Sequence, residues 1–324
     1  GFVNVEGEKM SKSKGNFIPL KDLVEKHGAD LVRINITASG QGIDDADWRE
    51  DNIRSYKNRY ENLVQGIHDL KDAKKTNVES IDLYLQSKMQ RHIENATKDY
   101  EQLAFRDAVQ AALFEALNDM KWYMRRVGDT KKVNKKIMKT YIETIVKLMT
   151  PITPHVCEEL WTMLGGKGFI ATEEWPVANA TRESIESELG EELLKKTLAD
   201  VEEVKNITKI QPQKITLFVA ENWKFRVYNT VLKSKDKNVN DITKEIMSSG
   251  GYGKATVGYI QSLYKKIGEL QPTLPRSIQL SLLNESKNFL EKETGCSIII
   301  EDSEKTENAK AKTATPNKFG IFIE

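Results

Sequence analysis

The chain has 324 residues, of which 39% are hydrophobic and 30% charged, and its formal net charge is only +1. This composition is typical of a helix-rich, soluble protein of two or three domains, and no apolar run is long enough to span a membrane. A nearly neutral charge means that any nucleic-acid binding must depend on local basic surface. Cys157 and Cys296 form no CxxC pair, and the four histidines lack a helical metal-binding spacing. We therefore expect reduced thiols, no zinc or other metal site, and a cytoplasmic protein.

Residues 1–46 are predicted to form a strand end, a polar loop and two short helices. Pro19 is typical of a helix start, and Gly28 is expected to end that helix. A second helix is predicted over about 29–38, followed by an Asp- and Gly-rich loop over 40–47.

Apolar residues then recur at steps of three and four over 47–178, which is the spacing of helices that bury one face. The four stripes cover 53–70, 81–100, 105–120 and 133–148, and a shorter helix is predicted over 155–164. Four or more such helices with short connections predict an antiparallel bundle.

The pattern changes after a polar stretch at about 177–190, which we interpret as a linker. Segments rich in Ile and other strand-forming residues at 214–220, 296–301 and 320–324 predict strands, with three or four helical segments between the first two. We therefore predict a mainly α protein, in which a helical bundle is followed by a small α+β domain over 190–324. A nucleotide-binding fold is expected to be absent or truncated.

The most informative segment is residues 9–13, Lys-Met-Ser-Lys-Ser, which lies between Gly7 and Gly15. Lysines offer point charges to phosphates, and serine hydroxyls add hydrogen bonds. Glycines on both sides would let such a loop close over a bound triphosphate. The general alternative is a solvated basic loop without chemistry.

This segment, continued by Asn16, resembles the second signature of class I aminoacyl-tRNA synthetases. Further resemblance lies in Gly28-Ala29-Asp30 with Arg33, in Phe105-Arg106, and in residues 150–155 (Thr-Pro-Ile-Thr-Pro-His) leading into 158–161. The resemblance implies a catalytic loop and stem-contact region at 1–46, an anticodon-binding bundle at 47–178 and a carboxy-terminal tRNA-binding domain at 190–324.

The resemblance also implies roles for residues of the loop. ATP, with Mg²⁺, would bind there while the amino acid is converted to an aminoacyl-adenylate. Lys12 would stabilise the departing pyrophosphate, and Lys9 would support the phosphates and the closed loop. Ser11 and Ser13 would form hydrogen bonds in or near the nucleotide site.

Leucine is the amino acid that the sequence favours. The run 42–49, Gly-Ile-Asp-Asp-Ala-Asp-Trp-Arg, resembles archaeal and eukaryotic-type leucyl-tRNA synthetases. The lack of a cysteine cluster and the α+β tail also resemble the leucine enzymes. Isoleucyl, valyl or methionyl enzymes remain alternatives within the class, and a non-catalytic tRNA-binding paralogue is an alternative of another kind.

Local basic surface is predicted at two places. The candidates for tRNA contact at the junction of two bundle helices are Arg125, Arg126, Lys131, Lys132 and Lys135, unless this is only a solvated helix tip. Lys312 and Lys318 lie in a second basic stretch, which we expect to be disordered until RNA binds.

Four further residues are expected to be structural. Trp122 and Tyr123 lie among the first basic cluster, and we expect both to pack in the helix core. His155 is expected to pack or cap a helix, and Cys157 to be buried and inert.

The His-x-Gly-His element that the family carries in its nucleotide-binding fold does not occur here. The sequence therefore predicts that this chain does not activate an amino acid alone. An upstream or separate chain with the nucleotide-binding fold is the expected protein partner, and tRNA(Leu) the expected nucleic acid. Neither DNA nor a membrane is expected as a partner.

Overall fold

The computed structural model describes residues 2–42, 44–248 and 253–324, without the side chain of Lys254. Ile43, part of the run compared above with the leucine enzymes, lies outside the described residues. The chain divides into two compact units, Gly1–Ile185 and Glu186–Glu324. The prediction of a mainly α protein with a small α+β part is confirmed.

The first unit begins with a small sheet and two helices. These elements are β1 (Val3–Val5), β2 (Glu8–Lys9), α1 (Leu20–His27), α2 (Ala29–Ser39) and β3 (Ala46–Trp48). Strand β1 lies in the middle, antiparallel to β2 and parallel to β3. The two predicted helices are confirmed, and Gly28 ends α1 with φ 83°.

The prediction of a loop over 40–47 is wrong for its last two residues, since Ala46–Trp48 forms β3. Strand β3 has only three residues, which is too short for an alternation of apolar and polar residues to be recognised in the sequence. The strand is stabilised by Trp48, which is 2% exposed and packs against Leu23, Val32 and Ile53.

The helical bundle follows in the same unit. Its helices are α3 (Glu50–Asp69), α4 (Ser80–Glu101), α5 (Phe105–Val109), α6 (Ala116–Val127), α7 (Lys135–Met149) and α8 (Pro154–Met163). The predicted apolar stripes form its core, where Leu85, Leu117 and Ile142 are fully buried. One detail was not predicted: a π-helical turn, Gln110–Glu115, joins α5 to α6. Apolar spacing does not distinguish such a turn from the α-helix on either side.

The second unit is an α+β fold around a three-stranded sheet. Its elements are α9 (Ile185–Thr208), β4 (Lys214–Val219), α10 (Asn222–Lys233), α11 (Val239–Ser248), α12 (Lys254–Tyr264), α13 (Arg276–Thr294), β5 (Ser297–Asp302) and β6 (Gly320–Ile323). Strand β4 lies between parallel β5 and antiparallel β6. All three predicted strands are confirmed.

The prediction of a linker over 177–190 is wrong for its last residues, because α9 begins at Ile185. Glu186 and Glu188 lie in the first turn, where negative charge is favourable at a helix amino terminus. Gly190 is buried inside the helix, and a Cβ there would be 3.5 Å from Leu282. A polar, glycine-containing composition therefore misled the prediction at this point.

The basic stretch before β6 is folded, so the expectation of disorder without RNA is wrong. It forms 3₁₀ turns at Ser303–Lys305 and Ala309–Thr313. Ala311 and Ala314 are buried, and the ammonium of Lys224 donates to the carbonyls of Lys312 and Ala314 at 2.6 and 2.8 Å. These buried contacts, made from a distant helix, stabilise a segment whose composition alone is typical of disorder.

Candidate functional site

The Lys-Met-Ser-Lys-Ser segment leaves β2 and forms a compact turn. Lys9 is the last residue of β2, and the amide of Met10 donates to the carbonyl of Val3 at 3.0 Å. Gly7 and Gly15 have φ values of 84° and 72°, a left-handed conformation that glycine adopts readily. The two flanking glycines thus shape the turn, and their role in closing the loop over a triphosphate stays a prediction.

Asn16 closes this turn. Its side-chain oxygen accepts from the Ser11 amide at 2.9 Å, and its amide group donates to the Lys9 carbonyl at 3.1 Å. The hydroxyl of Ser11 accepts from the Lys14 amide at 3.2 Å and lies 3.2 Å from the Ser13 hydroxyl. Asn16 had been noted only as part of the motif; asparagine beside a glycine is a signal of such a turn.

The lysines of the segment differ in their partners. Lys9 and Lys12 are exposed and lie over the rings of Phe2 and Phe17, at 3.5 and 5.5 Å from the ring centroids. Among the described residues, neither forms an ion pair. Lys14 instead pairs with Glu8 at 2.8 Å, a contact that lowers the pKa of the Glu8 carboxyl. The two lysines singled out from the sequence are thus available to an anionic ligand.

The acidic run on and before β3 supports the hairpin that carries this segment. Asp45 accepts from the Phe2 amide at 2.7 Å, and Asp47 accepts from the Gly7 amide at 2.9 Å. The second Asp47 oxygen pairs with Arg49 at 2.6 Å. The hairpin that carries the Lys-Met-Ser-Lys-Ser segment and the acidic run, which were considered separately in the sequence, are therefore joined by hydrogen bonds.

A second long-range contact joins α2 to the start of α8. Arg33 donates to the carbonyls of Ile152 and Pro151 at 2.7 and 2.9 Å. Asp30, 9% exposed, accepts from the Val156 amide at 2.6 Å and lies 2.9 Å from the His155 ring. The two motif segments that contain these residues are thus held together.

Asp30 rather than His155 caps α8. The His155 side chain is 77% exposed and contacts Asp30 through one ring nitrogen, so its expected packing or capping role is wrong. Cys157 on the same helix is fully buried, and burial raises the pKa of its thiol to about 12. The expected burial of Cys157 is confirmed, and its inertness stays a prediction that this burial supports.

The first predicted basic cluster lies at one end of the bundle. Lys131, Lys132 and Lys135 are exposed, and Arg125 lies over the Trp122 ring at 5.6 Å. Trp122 and Tyr123 are 7% and 0% exposed, which confirms that they pack in the helix core. We call the surface of Arg125, Arg126, Lys131, Lys132 and Lys135 the basic tip.

A buried polar cluster under the basic tip was not predicted. Asp82 is fully buried and accepts from Lys75 and from the Tyr123 hydroxyl, both at 2.6 Å. That hydroxyl in turn accepts from the Asn134 amide at 3.0 Å, immediately before α7. Asp82 is far in sequence from Tyr123 and Asn134, and a single Asp on a helix does not indicate which residues will contact it.

The two candidate lysines of the second unit are both exposed. Lys312 lies in the folded basic stretch, while Lys318 pairs with Asp200 at 2.9 Å. A Cβ on Gly320 would lie 2.5 Å from the Lys310 carbonyl, so this stretch is closely packed on β6. No group of three or more metal-ligating side chains occurs within the described part of the chain.

Two family models match the chain. Residues 1–70 match tRNA synthetases class I (M), and residues 82–219 match the anticodon-binding domain of tRNA ligase. Over these two stretches, the chain contains class I tRNA synthetase domains. No helix of the described residues is long and apolar enough to cross a membrane.

Curated relatives from archaea match this chain along its whole length. Leucine–tRNA ligases of Pyrococcus abyssi and Pyrococcus horikoshii are 34% and 35% identical to it, over 332 and 334 residues. That of Methanosarcina barkeri is 32% identical over 346 residues. The alignments cover 100% of this chain and 34–35% of the relatives, so it spans about a third of their length. The predicted similarity to archaeal leucine enzymes is confirmed.

Among the similar solved structures is the ternary complex of the Agrobacterium radiobacter K84 agnB2 LeuRS with tRNA and LeuAMS. It is 26% identical, with a TM-score of 0.48 over 57% of this chain and 24% of that one.

Proposed function

We propose that this chain takes part in the ATP-dependent attachment of leucine to tRNA(Leu). It supplies the Lys-Met-Ser-Lys-Ser loop and tRNA-binding surfaces, while a nucleotide-binding fold in the same protein or in a partner supplies the rest of the active site. The observation that carries the proposal is the exposed pair Lys9 and Lys12 on a turn closed by Asn16, where neither lysine has a carboxylate partner among the described residues.

In the proposed reaction, the carboxylate of leucine attacks the α-phosphorus of ATP. The bond to the bridging oxygen breaks, and its electron pair leaves with pyrophosphate. Lys12 stabilises the charge that grows on this leaving group, and Lys9 binds the phosphates nearby. The hydroxyls of Ser11 and Ser13 add hydrogen bonds, and Mg²⁺ enters with ATP as part of the substrate.

We assign one role in this reaction to each of the three predicted regions of the chain. Residues 1–46 contact the nucleotide and the tRNA stem, 47–178 bind the anticodon side, and 190–324 bind another part of the tRNA. The basic tip, Lys312 and Lys318 contact backbone phosphates, since ammonium and guanidinium groups form the sequence-independent part of RNA binding. The two buried, free thiols support a cytoplasmic location.

Reversing charge at the basic tip tests the tRNA-binding role. The double variant Lys131→Glu, Lys132→Glu is expected to weaken tRNA(Leu) binding at least ~10-fold at moderate salt and to reduce the slope of log affinity against log salt by about 2. Fluorescence anisotropy of labelled tRNA at several salt concentrations measures both. The matched control is Lys98→Glu, Lys167→Glu, which changes the net charge equally at exposed positions. Equal losses in the two variants would remove the basic tip from the interface.

A further inference from the structure

Arg59 on α3 has an unusual environment. Its guanidinium lies 3.6 Å from the centroid of the Phe114 ring, and its Nε is buried and has no hydrogen-bond partner in the described part of the chain. Among the described residues, no carboxylate lies within ion-pair distance of Arg59. Burial lowers the pKa of Arg59, but an arginine remains charged at neutral pH. A half-buried cation without an anion is costly for the protein to keep.

The aromatic partner of Arg59 is fixed in place. Phe114 belongs to the π-helical turn Gln110–Glu115, and the Tyr56 ring contacts it edge-on at 5.9 Å and 74°. Turns of this kind occur often at functional sites. The stack orders a flexible side chain in advance, so less entropy is lost when the guanidinium binds an anion.

A second arginine acts electrostatically on Tyr56. Burial raises the pKa of the Tyr56 hydroxyl, while the charges of Arg59 and Arg106 both act to lower it. Arg106 is exposed at the start of α5 and was noted in the sequence only as part of a motif.

Helix α3, which carries Arg59, runs between the small sheet of the catalytic loop and the basic tip. Helix α3 begins beside the small sheet, where the Glu50 amide donates to Glu6. Its other end adjoins the basic tip, where the Lys74 amide donates to the Lys131 carbonyl. Arg59 lies near the middle of this 20-residue helix, about 15 Å from either end.

We propose that Arg59, ordered by Phe114, binds a phosphodiester group of the tRNA backbone between the basic tip and the catalytic loop. The inference rests on the proposed function, since it requires that the unit binds tRNA. The planar guanidinium fork matches two phosphate oxygens, whereas an ammonium offers only a point charge. The contact is independent of sequence and sets the position of the tRNA along the unit.

The test is tRNA(Leu) binding by the full chain, measured by anisotropy over a range of salt. Arg59→Gln is expected to lower affinity about 10-fold and the salt slope by about 1. Arg59→Lys keeps the slope but loses several-fold in affinity, and Phe114→Leu keeps the charge with a smaller loss. Lys98→Gln, a matched loss of one exposed charge on α4, stays near wild type. Circular dichroism checks that each variant is folded.

A folded Arg59→Gln variant with wild-type affinity and slope would overturn this inference and leave the proposed function intact. Failure of the wild-type chain to bind tRNA would instead overturn the proposed function, and the inference with it. Equal losses from Arg59→Gln and Lys98→Gln would also overturn the inference, because they would show only a general charge effect.

Discussion

Replacing Lys12 with alanine is expected to slow adenylate formation by ~10²-fold or more in the complete enzyme that contains this chain. The ammonium has no carboxylate partner among the described residues, so its charge is available to the leaving pyrophosphate. Removing one positioned electrostatic contact from a transition state costs about this much in rate. Leucine-dependent exchange of pyrophosphate into ATP measures the step without tRNA.

Lys14→Ala is the matched control for this prediction. It removes the same charge from the same turn, but Lys14 already pairs with Glu8 at 2.8 Å. We expect a loss of less than ~10-fold, since that charge is partly neutralised. Exchange rates that fall equally in the two variants would show that only the overall charge of the turn matters. An unchanged rate for Lys12→Ala would exclude Lys12 from the mechanism.

Replacing Asp82 with alanine is expected to destabilise the first unit by about 3 kcal/mol. The change leaves the Tyr123 hydroxyl without its acceptor and removes one of the two carboxylates bound to Lys75. Removing one partner of a buried ion pair costs roughly 3–5 kcal/mol, and the remaining contact of Lys75 with Glu79 places the value at the lower end. Urea unfolding followed by tryptophan fluorescence measures it, because four of the five tryptophans lie in this unit.

Lys139→Ala provides the comparison for Asp82→Ala. Lys139 forms a partly exposed pair with Glu143 one turn away, and such pairs contribute about 0.5 kcal/mol or less. Unfolding midpoints that coincide for Asp82→Ala and wild type would mean that the buried cluster does not hold the helices together. The basic tip adjoins this cluster through Tyr123 and Asn134, so Asp82→Ala should also weaken tRNA binding.

Sequence reasoning succeeded where burial is periodic. The helices of the bundle could be predicted because residues such as Leu63 and Leu85 recur on one face and are buried there. Strand β4 was predicted because Ile, Leu, Phe and Val follow one another in a strand that is buried on both faces. Strand β3 was missed because its neighbours in the sheet and Trp48 decide its conformation, and its local composition does not.

In the candidate site, too, the local features could be predicted and the contacts between distant segments could not. The Lys-Met-Ser-Lys-Ser segment is local and was found from its residues. The contacts of Asp30 and Arg33 with residues 151–156 span more than a hundred positions, and neither residue alone indicates its partner. The stacked Arg59 could likewise not be predicted, because its partner Phe114 lies on a different segment of the chain, in a π-helical turn.

The most direct measurement of the central claim is aminoacylation by the complete enzyme that contains this chain, assembled with its nucleotide-binding fold. Purified tRNA species are offered with leucine, isoleucine, valine or methionine, and the esterified product is counted. We predict that leucine is attached to tRNA(Leu) and that the other three amino acids are not attached to their tRNAs. Attachment of another amino acid, or tRNA binding without any esterification, would contradict the proposal.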